Sequence, residues 1–513
     1  MPTLTDQTDR HTLIDRREGE YICFPDVVRT DDGRLIVAYN ESDKHVEPTR
    51  RVLLIRTSKD NGRTWDDIVR MPTKTSHCPR LIKRADGEII LSDSTKTFHH
   101  SFDNGETWDI RQVTGLAHDM IDRVIDLGND IFLTTGHCHR GSFSHPAIRQ
   151  APAEQMAYRS EDHGATWQGM SVIGRERNLV LCEASMVHFP DGRIIALMRE
   201  NSFVYEPMYL CISDNEGNTW SDPIPTPLIG HRPTMGVIDD NRLLVTYRNV
   251  GPDMGTCAWT GTLNELTGNF KVHGRHENPN NPTLNNDGLR VVNDEGGSSV
   301  VRYTLRPLTD PRSATATLET EVRVDQADEN GCGLRLGVWW RIFPDRIVPD
   351  IENSEPIPIK AGVFNTIQLD YAAGQVTLSV NGEQRTTIFV VADHADTRPI
   401  LFGAPYPFEN NSVDCTWRQV RLSTNEPHLQ RKYEWKWRAE DGLPDAWVQD
   451  HILELKNDRY AAPPDFGYSG WTTLEDGSIF CTYHHGGGTD KDYTPLYSAQ
   501  IMGTRFSLDD FKK

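Results

Sequence analysis

The residues able to do chemistry fall at a repeated place in this chain, at the two ends of short apolar hairpins. The hairpins start at Cys23-Phe24, Cys78-Pro79-Arg80, His118-Asp119, Cys182-Glu183, His231-Arg232 and Gly467-Tyr468. They end at Asn40-Glu41, Ser94, His137, Arg199, Arg248 and His484. Arginine presents a planar fork of donors suited to a carboxylate or sulfate, and Glu, His and Tyr can move protons. If these twelve ends meet at one mouth, they build an anion-binding pocket with acid/base groups in it.

What must position them is the hairpin itself, and it recurs six times. Phe24–Tyr39, Pro79–Asp93, Met120–Thr135, Glu183–Met198, Pro233–Tyr247 and Tyr468–Tyr483 each read as an apolar strand, a short turn and a second strand. The turns are Asp32-Gly33, Asp86-Gly87, Gly128-Asn129, Asp191-Gly192, Asp240-Asn241 and Asp476-Gly477. Asp-Gly between alternating apolar strands is a strong hairpin signal, so six hairpins predict six sheets. Strand-rich repeats arranged radially close into a propeller with short, protected edges. The expected fold is all-β, a six-bladed β-propeller, with the start and end of each hairpin on the face opposite its turn.

A second repeat follows four of the hairpins. Ser58-Lys-Asp60-Asn-Gly62-Arg-Thr64-Trp65 returns as Ser101–Trp108, Ser160–Trp167 and Ser213–Trp220, with Asn215 in place of the Asp in the last. Ser and Asp side chains bond nearby backbone, Gly takes a positive φ, and Trp plugs the end, so each copy should clamp a sheet. These lines match the S-x-D-x-G-x-T-W pattern of the Asp-box, or BNR, repeat, and the chain resembles the sialidase superfamily. In that superfamily a Glu activates a nucleophilic tyrosine and arginines hold the substrate carboxylate. The resemblance implies that Glu183 is the base, Tyr468 the nucleophile, and Arg199 and Arg248 ligands of the anion. A neutral tyrosine is a poor nucleophile, and a carboxylate that takes its proton as it attacks avoids a free phenolate beside an anionic substrate.

Two departures redirect the substrate. Sialidases open blade one with F-R-I-P, whereas this chain has Ile22-Cys23-Phe24-Pro25, and the Glu that braces that arginine is here His484. Sialic acid is therefore not the expected substrate; Arg80 and Arg232, at two other openings, are the candidates to complete the anion site, with His137 beside them. The acid/base is expected on the loop after blade one, where Asp43, His45 and Glu47 are the choices. A histidine there protonates a leaving oxygen near neutral pH.

Between the fifth and sixth hairpins the pattern changes. Ala314–Val324, Gly333–Trp340, Thr366–Tyr371, Val376–Asn381 and Val413–Leu422 alternate like strands of a sandwich, and Val376–Arg385 resembles a hairpin of concanavalin-like jelly rolls. Residues 268–423 are expected to form a lectin-like β-sandwich looped out of a propeller made of residues 1–267 and 424–513. It is read as a carbohydrate-binding module or, equally, as a spacer or homo-oligomerisation lobe. The propeller is expected to resume at Tyr433–Trp437, and the last strands, with the segment near Leu13–Ile22, to close blade six with both chain ends.

Bulk properties bound the partners. A 513-residue chain exceeds one ordinary core, and a formal net charge of −20 argues against nucleic acid or an anionic membrane. No apolar run reaches about 18 residues, and the first ten residues lack a secretory leader's basic and apolar parts, so a soluble, cytoplasmic chain is expected. Nine cysteines without paired spacing suit reduced, buried thiols. His137-Cys138-His139 is the nearest approach to metal-ligand spacing and lacks further ligands, so neither metal nor cofactor is expected.

Three functions remain. One is an exo-acting glycoside hydrolase of the sialidase type on a glycan with a terminal acidic sugar. Another is a propeller polysaccharide lyase that removes the C5 proton of a uronate by His or Tyr468 while arginine neutralises the carboxylate. The last is a propeller that binds acidic oligosaccharides without turning them over.

Overall fold

The computed structural model describes residues 1–73, 75–138, 154–176, 179–201, 206–239, 241–251, 254–276, 280–293, 301–391, 399–404, 412–457, 465–486, 494 and 496–511. Six antiparallel four-stranded sheets form the propeller. Blade 1 holds Tyr21–Arg29, Leu35–Ser42, Arg51–Ser58 and Val69–Arg70; blade 2 holds Arg80–Lys83, Ile89–Asp93, Thr97–Ser101 and Asp109–Gln112. Blade 3 holds Ile125–Asp126, Phe132–Cys138, Glu154–Ser160 and Gln168–Ile173; blade 4 holds Leu181–His188, Ile194–Glu200, Tyr209–Ser213 and Ile224–Pro225. Blade 5 takes Gly230–Asp239, Arg242–Asn249 and Gly255–Thr262, then waits for Ile452–Asn457 as its outer strand. Blade 6 takes Ser469–Thr473, Ile479–His485 and Gln500–Phe506, and its outer strand is His11–Asp15 from the other end of the chain.

The six expected hairpins are the inner pairs of these blades. Their strands are buried on both faces, as in Leu35–Ser42 and Ile194–Glu200, because each sheet is packed between two neighbours. The outer strands need only one covered face, and Val69–Arg70 is exposed.

The repeated turns do more than clamp one sheet. In the first, Ser58 Oγ accepts from Gly62 N at 2.9 Å and Asp60 Oδ1 from Thr64 N at 2.8 Å. Asn215 does the same with Thr219 N at 2.9 Å and donates its amide to Thr219 Oγ1, so the Asp-to-Asn change keeps the turn. Each turn rests on the preceding blade. Trp65 packs against Phe480 of blade 6 and Trp167 against Phe98 of blade 2, both at 5.8 Å between ring centres. Trp220 Nε1 donates to Ser171 Oγ of blade 3. At Gly105 of the second turn, φ is +85° and a Cβ would lie 2.4 Å from Ile36 of blade 1, so only glycine lets the turn seat there.

At the axis the six blades share a second repeat that the hairpin pattern does not announce. Phe24, Cys78, Met120, Glu183, Arg232 and Gly467, one per blade at the opening of the first strand, all have φ between +47° and +76°. Strand pairing slips across this residue in blades 1, 4 and 5, which makes it a β-bulge. A left-handed bulge breaks the strict alternation of side chains. The residue two places on then points into the axis. There Arg80 donates to Asp122 at 3.2 Å, to Thr234 Oγ1 at 2.8 Å and to the Ser469 carbonyl at 3.2 Å, with Asp26 3.7 Å away. Asp26 in turn accepts from Arg123 and from Leu81 N. This buried ring plugs the propeller.

The described residues from His273 to Arg438 contribute two larger sheets. Seven strands, among them Val301–Leu305, Cys332–Leu336, Val338–Ile342 and Ile400–Ala404, make one; eight, centred on Thr315–Ala327 and Val413–Glu426, make the other. Leu318, Val322 and Leu369 of one sheet share a single core with Leu334, Trp340 and Phe402 of the other, the arrangement of a sandwich. Tyr433–Trp437 does not resume the propeller. Arg431–Arg438 pairs with Val413–Glu426, because Tyr433 and Trp437 alternate into the sandwich core, and propeller strands return only at Ile452. Buried Glu206, beyond the inner hairpin of blade 4, accepts from Thr309 Oγ1 at 2.6 Å and from Arg306 and Arg431, tying the larger sheets to the propeller. Among the described residues no helix is long and apolar enough to cross a membrane.

Candidate active site

Glu183 opens blade 4 on its bulge, and Arg199 ends the same hairpin directly opposite Cys182. The spacing of sixteen residues is therefore the length of a hairpin, which returns the second side chain beside the first. Tyr468, from blade 6, completes the group: its hydroxyl donates to Glu183 Oε1 at 2.7 Å. Arg199 Nη1 donates to Glu183 Oε2 at 2.8 Å and lies 3.1 Å from the Tyr468 hydroxyl. All three are nearly buried.

The electrostatics separate the two acids. Burial alone would raise the Glu183 carboxyl, but the guanidiniums of Arg199 and Arg232, with His137, outweigh it and hold the group well below the usual carboxylate range. Burial and the Glu183 charge together push the Tyr468 phenol far up. At neutral pH the pair is thus an ionised carboxylate accepting a proton from a neutral phenol, the ground state that general-base activation of a tyrosine requires.

The remaining arginines frame this pair. Arg248 lies 4.8 Å over the Tyr468 ring, within 3.6 Å of Asp465, and its Nε donates to the Phe466 carbonyl. Arg232 is fully buried with both terminal nitrogens lacking a hydrogen-bond partner among the described residues. His137 Nδ1 accepts from the Glu183 backbone N–H at 3.3 Å. Glu183, Tyr468, Arg199, Arg232, Arg248 and His137 therefore meet at one end of the axis.

Arg80 and Asp43 do not join them. Arg80 sits two residues past its bulge and spends its nitrogens on the axial ring, while the blade 2 opening offers Cys78 instead. Asp43 folds back on its own loop, accepting from Thr49 N and Oγ1 and from Arg50 N, and the Thr49 hydroxyl is foremost in lowering its carboxyl to about 2. A carboxyl held this acidic cannot serve as a general acid near neutral pH. Glu47 is exposed. Of the three loop candidates only His45 turns inward. Its Nδ1 lies 2.7 Å from the Tyr21 hydroxyl and 3.0 Å from Asp465, and its ring is 5.6 Å from Phe24. His139 lies outside the described residues.

Sequence reasoning missed Asp465, the second buried carboxylate of the site. It receives His45 and, at 3.3 Å, His484 Nε2; burial would raise it, and these two histidines hold it well below its ordinary range. The signal was its place three residues before Tyr468, at an opening where only Gly467-Tyr468 was read. Phe24 was also undervalued. It occupies the bulge of blade 1, 5.0 Å from the Tyr468 ring, and the Arg51 guanidinium lies 5.3 Å from the centre of its own ring. Where the sialidase pattern places an arginine, Cys23 is buried and uncharged, its thiol pushed up by burial.

Residues 91–247 match the BNR repeat-like domain model. None of the curated proteins compared with the chain matches it. Among solved structures, a protein of unknown function from Dyadobacter fermentans is 16% identical, with 58% of this chain and 94% of that one covered and a TM-score of 0.41. The Trypanosoma rangeli sialidase in complex with sialic acid is 13% identical over 81% of this chain and 84% of its own, at a TM-score of 0.34. The GH43 protein BlXynB from Bacillus licheniformis is 10% identical over 79% and 86%, at 0.38. The repeat match and the three repeated turns inside it place BNR repeat-like sequence within six sheets that form a propeller.

Proposed function

We propose that the protein is an exo-acting glycoside hydrolase that removes a terminal acidic sugar from a glycan. The observation that carries this reading is the Tyr468 hydroxyl donating to ionised Glu183 under Arg199. In the first step Tyr468 Oη bonds to the anomeric carbon, its proton passes to Glu183, and the glycosidic bond breaks with a proton delivered to the leaving oxygen. His45, oriented by Asp465 and Tyr21, is the group assigned to that delivery. Water then attacks the anomeric carbon and gives a proton to His45, while the bond to Tyr468 breaks and the phenol recovers its proton from Glu183. Arg199, Arg248 and Arg232 hold the sugar's anionic group. Phe24 beside the nucleophile favours a ring whose near face is apolar over one bearing a charge in that corner.

The runner-up is β-elimination from a uronic-acid-containing polysaccharide, favoured by the His45, Asp465 and His484 group lying beside Tyr468. Both readings are tested by offering acidic oligosaccharides and weighing the products. The expected result is products that together gain one water per cleavage and carry a new reducing end. Products of unchanged total mass, one bearing an ultraviolet-absorbing double bond, favour the lyase, and binding without turnover favours a glycan-binding propeller.

A further inference from the structure

We propose that Glu88, His100 and His163 form a divalent-metal site that staples blade 2 to blade 3 on the face opposite the mouth. Glu88 follows the Asp86-Gly87 turn and His100 lies on Thr97–Ser101, both in blade 2. His163 belongs to the repeated turn Ser160–Trp167 of blade 3. One ligand atom from each, Glu88 Oε1, His100 Nδ1 and His163 Nε2, lies within 4.8 Å of the others. Glu88 Oε1 is 2.7 Å from His100 Nδ1 and 2.9 Å from His163 Nε2. Two imidazoles and a carboxylate, with a fourth position open to water, are the ligand set of a zinc-like ion. At bonds of roughly 2.0–2.2 Å the tetrahedral donors stand about 3.3 Å apart, so Glu88 Oε1 needs to withdraw from each imidazole nitrogen by only about half an ångström.

Three further observations suit a cation there. Both ring nitrogens of His163 face carboxylates, Nδ1 toward Asp130 at 2.8 Å and Nε2 toward Glu88. A carboxylate on the far nitrogen of a ligating histidine fixes the tautomer that leaves the near nitrogen's lone pair for the metal. Glu88 Oε2 is likewise held, by Arg84 Nη1 at 2.7 Å, which turns Oε1 toward the imidazoles. Around this point Asp86, Glu88, Asp126 and Asp130 all lean on Arg84, a surplus of negative charge that a divalent ion offsets. The side chains of Glu88 and His100 are 1% exposed, whereas His163 at 24% gives an entry path.

The repeat itself supplies the control. The equivalent positions of the other three turns are Asn61, Asn104 and Glu216, each with φ between +54° and +59°, and His163 has φ +57°. His163→Asn therefore restores a residue the turn already uses twice and removes only the imidazole.

The experiment is to strip the full-length protein with a chelator, dialyse it, and add Co²⁺ and then Zn²⁺. The expected result is one Co²⁺ per chain with the intense visible bands of a tetrahedral ion, displacement by Zn²⁺, and a rise of several degrees in the melting temperature. His163→Asn and, as a second variant, Glu88→Gln should lose the bands and the rise, with far-ultraviolet circular dichroism unchanged. No stoichiometric binding to the wild-type chain overturns the site and leaves His163 as an imidazolium between two carboxylates. Binding retained in His163→Asn overturns it equally, assigning the metal to other histidines.

Discussion

Tyr468→Phe abolishes turnover of an acidic glycan, lowering kcat by about 10⁴-fold or more, while the protein keeps its fold. The substitution deletes one oxygen and nothing else. Glu183 keeps its 2.8 Å bond from Arg199, and the ring keeps its place between Phe24 and Arg248, so no buried charge is orphaned. Glu183→Gln removes the proton acceptor and should lower kcat by roughly 10²–10⁴-fold. The two groups act on one proton, so the double variant should be little slower than Tyr468→Phe alone. Steady-state kinetics with a melting curve for each variant check this. Undiminished turnover in Tyr468→Phe removes the nucleophile, and a collapse in melting temperature makes the pair structural.

Arg80→Met produces the largest loss of stability, about 3–5 kcal/mol, because it removes the guanidinium hydrogen-bonded to the buried Asp122 carboxylate. Arg80 is 3% exposed and joins blade 2 to blades 3, 5 and 6 through Asp122, Thr234 and the Ser469 carbonyl. Arg123 still neutralises Asp26, which confines the loss to Asp122. Denaturant unfolding measures it. Wild-type stability joined to weakened substrate binding would instead return Arg80 to the anion site.

The contrast between Arg80 and Arg232 marks how far the sequence carries. Hairpins read from Asp-Gly turns and apolar strands located all six blade openings, because strand length and turn chemistry are local properties. Which side chain at an opening reaches the mouth depends on the left-handed bulge, and a bulge at Phe24, Cys78 or Glu183 has no residue-type signature. Only Gly467 advertises a positive φ. Arg80, two residues past its bulge, therefore points into the axial ring, whereas Glu183 and Arg232 are themselves bulge residues. Asp43 and Asp465 differ in the same way. Thr49 and Arg50, a few residues on, draw Asp43 back into its own loop, while Asp465 gains its role from His45, some 420 residues away in sequence. The cluster of Glu88, His100 and His163 escaped for that reason too, since it exists only where blade 2 meets blade 3.

The most direct test of a tyrosine nucleophile at this axis is to quench the enzyme during turnover of its acidic glycan and map the peptides by mass. The peptide containing Tyr468 is expected to carry one added glycosyl residue, absent from Tyr468→Phe and lost as hydrolysis completes. An unmodified Tyr468 peptide together with an unsaturated product would contradict it.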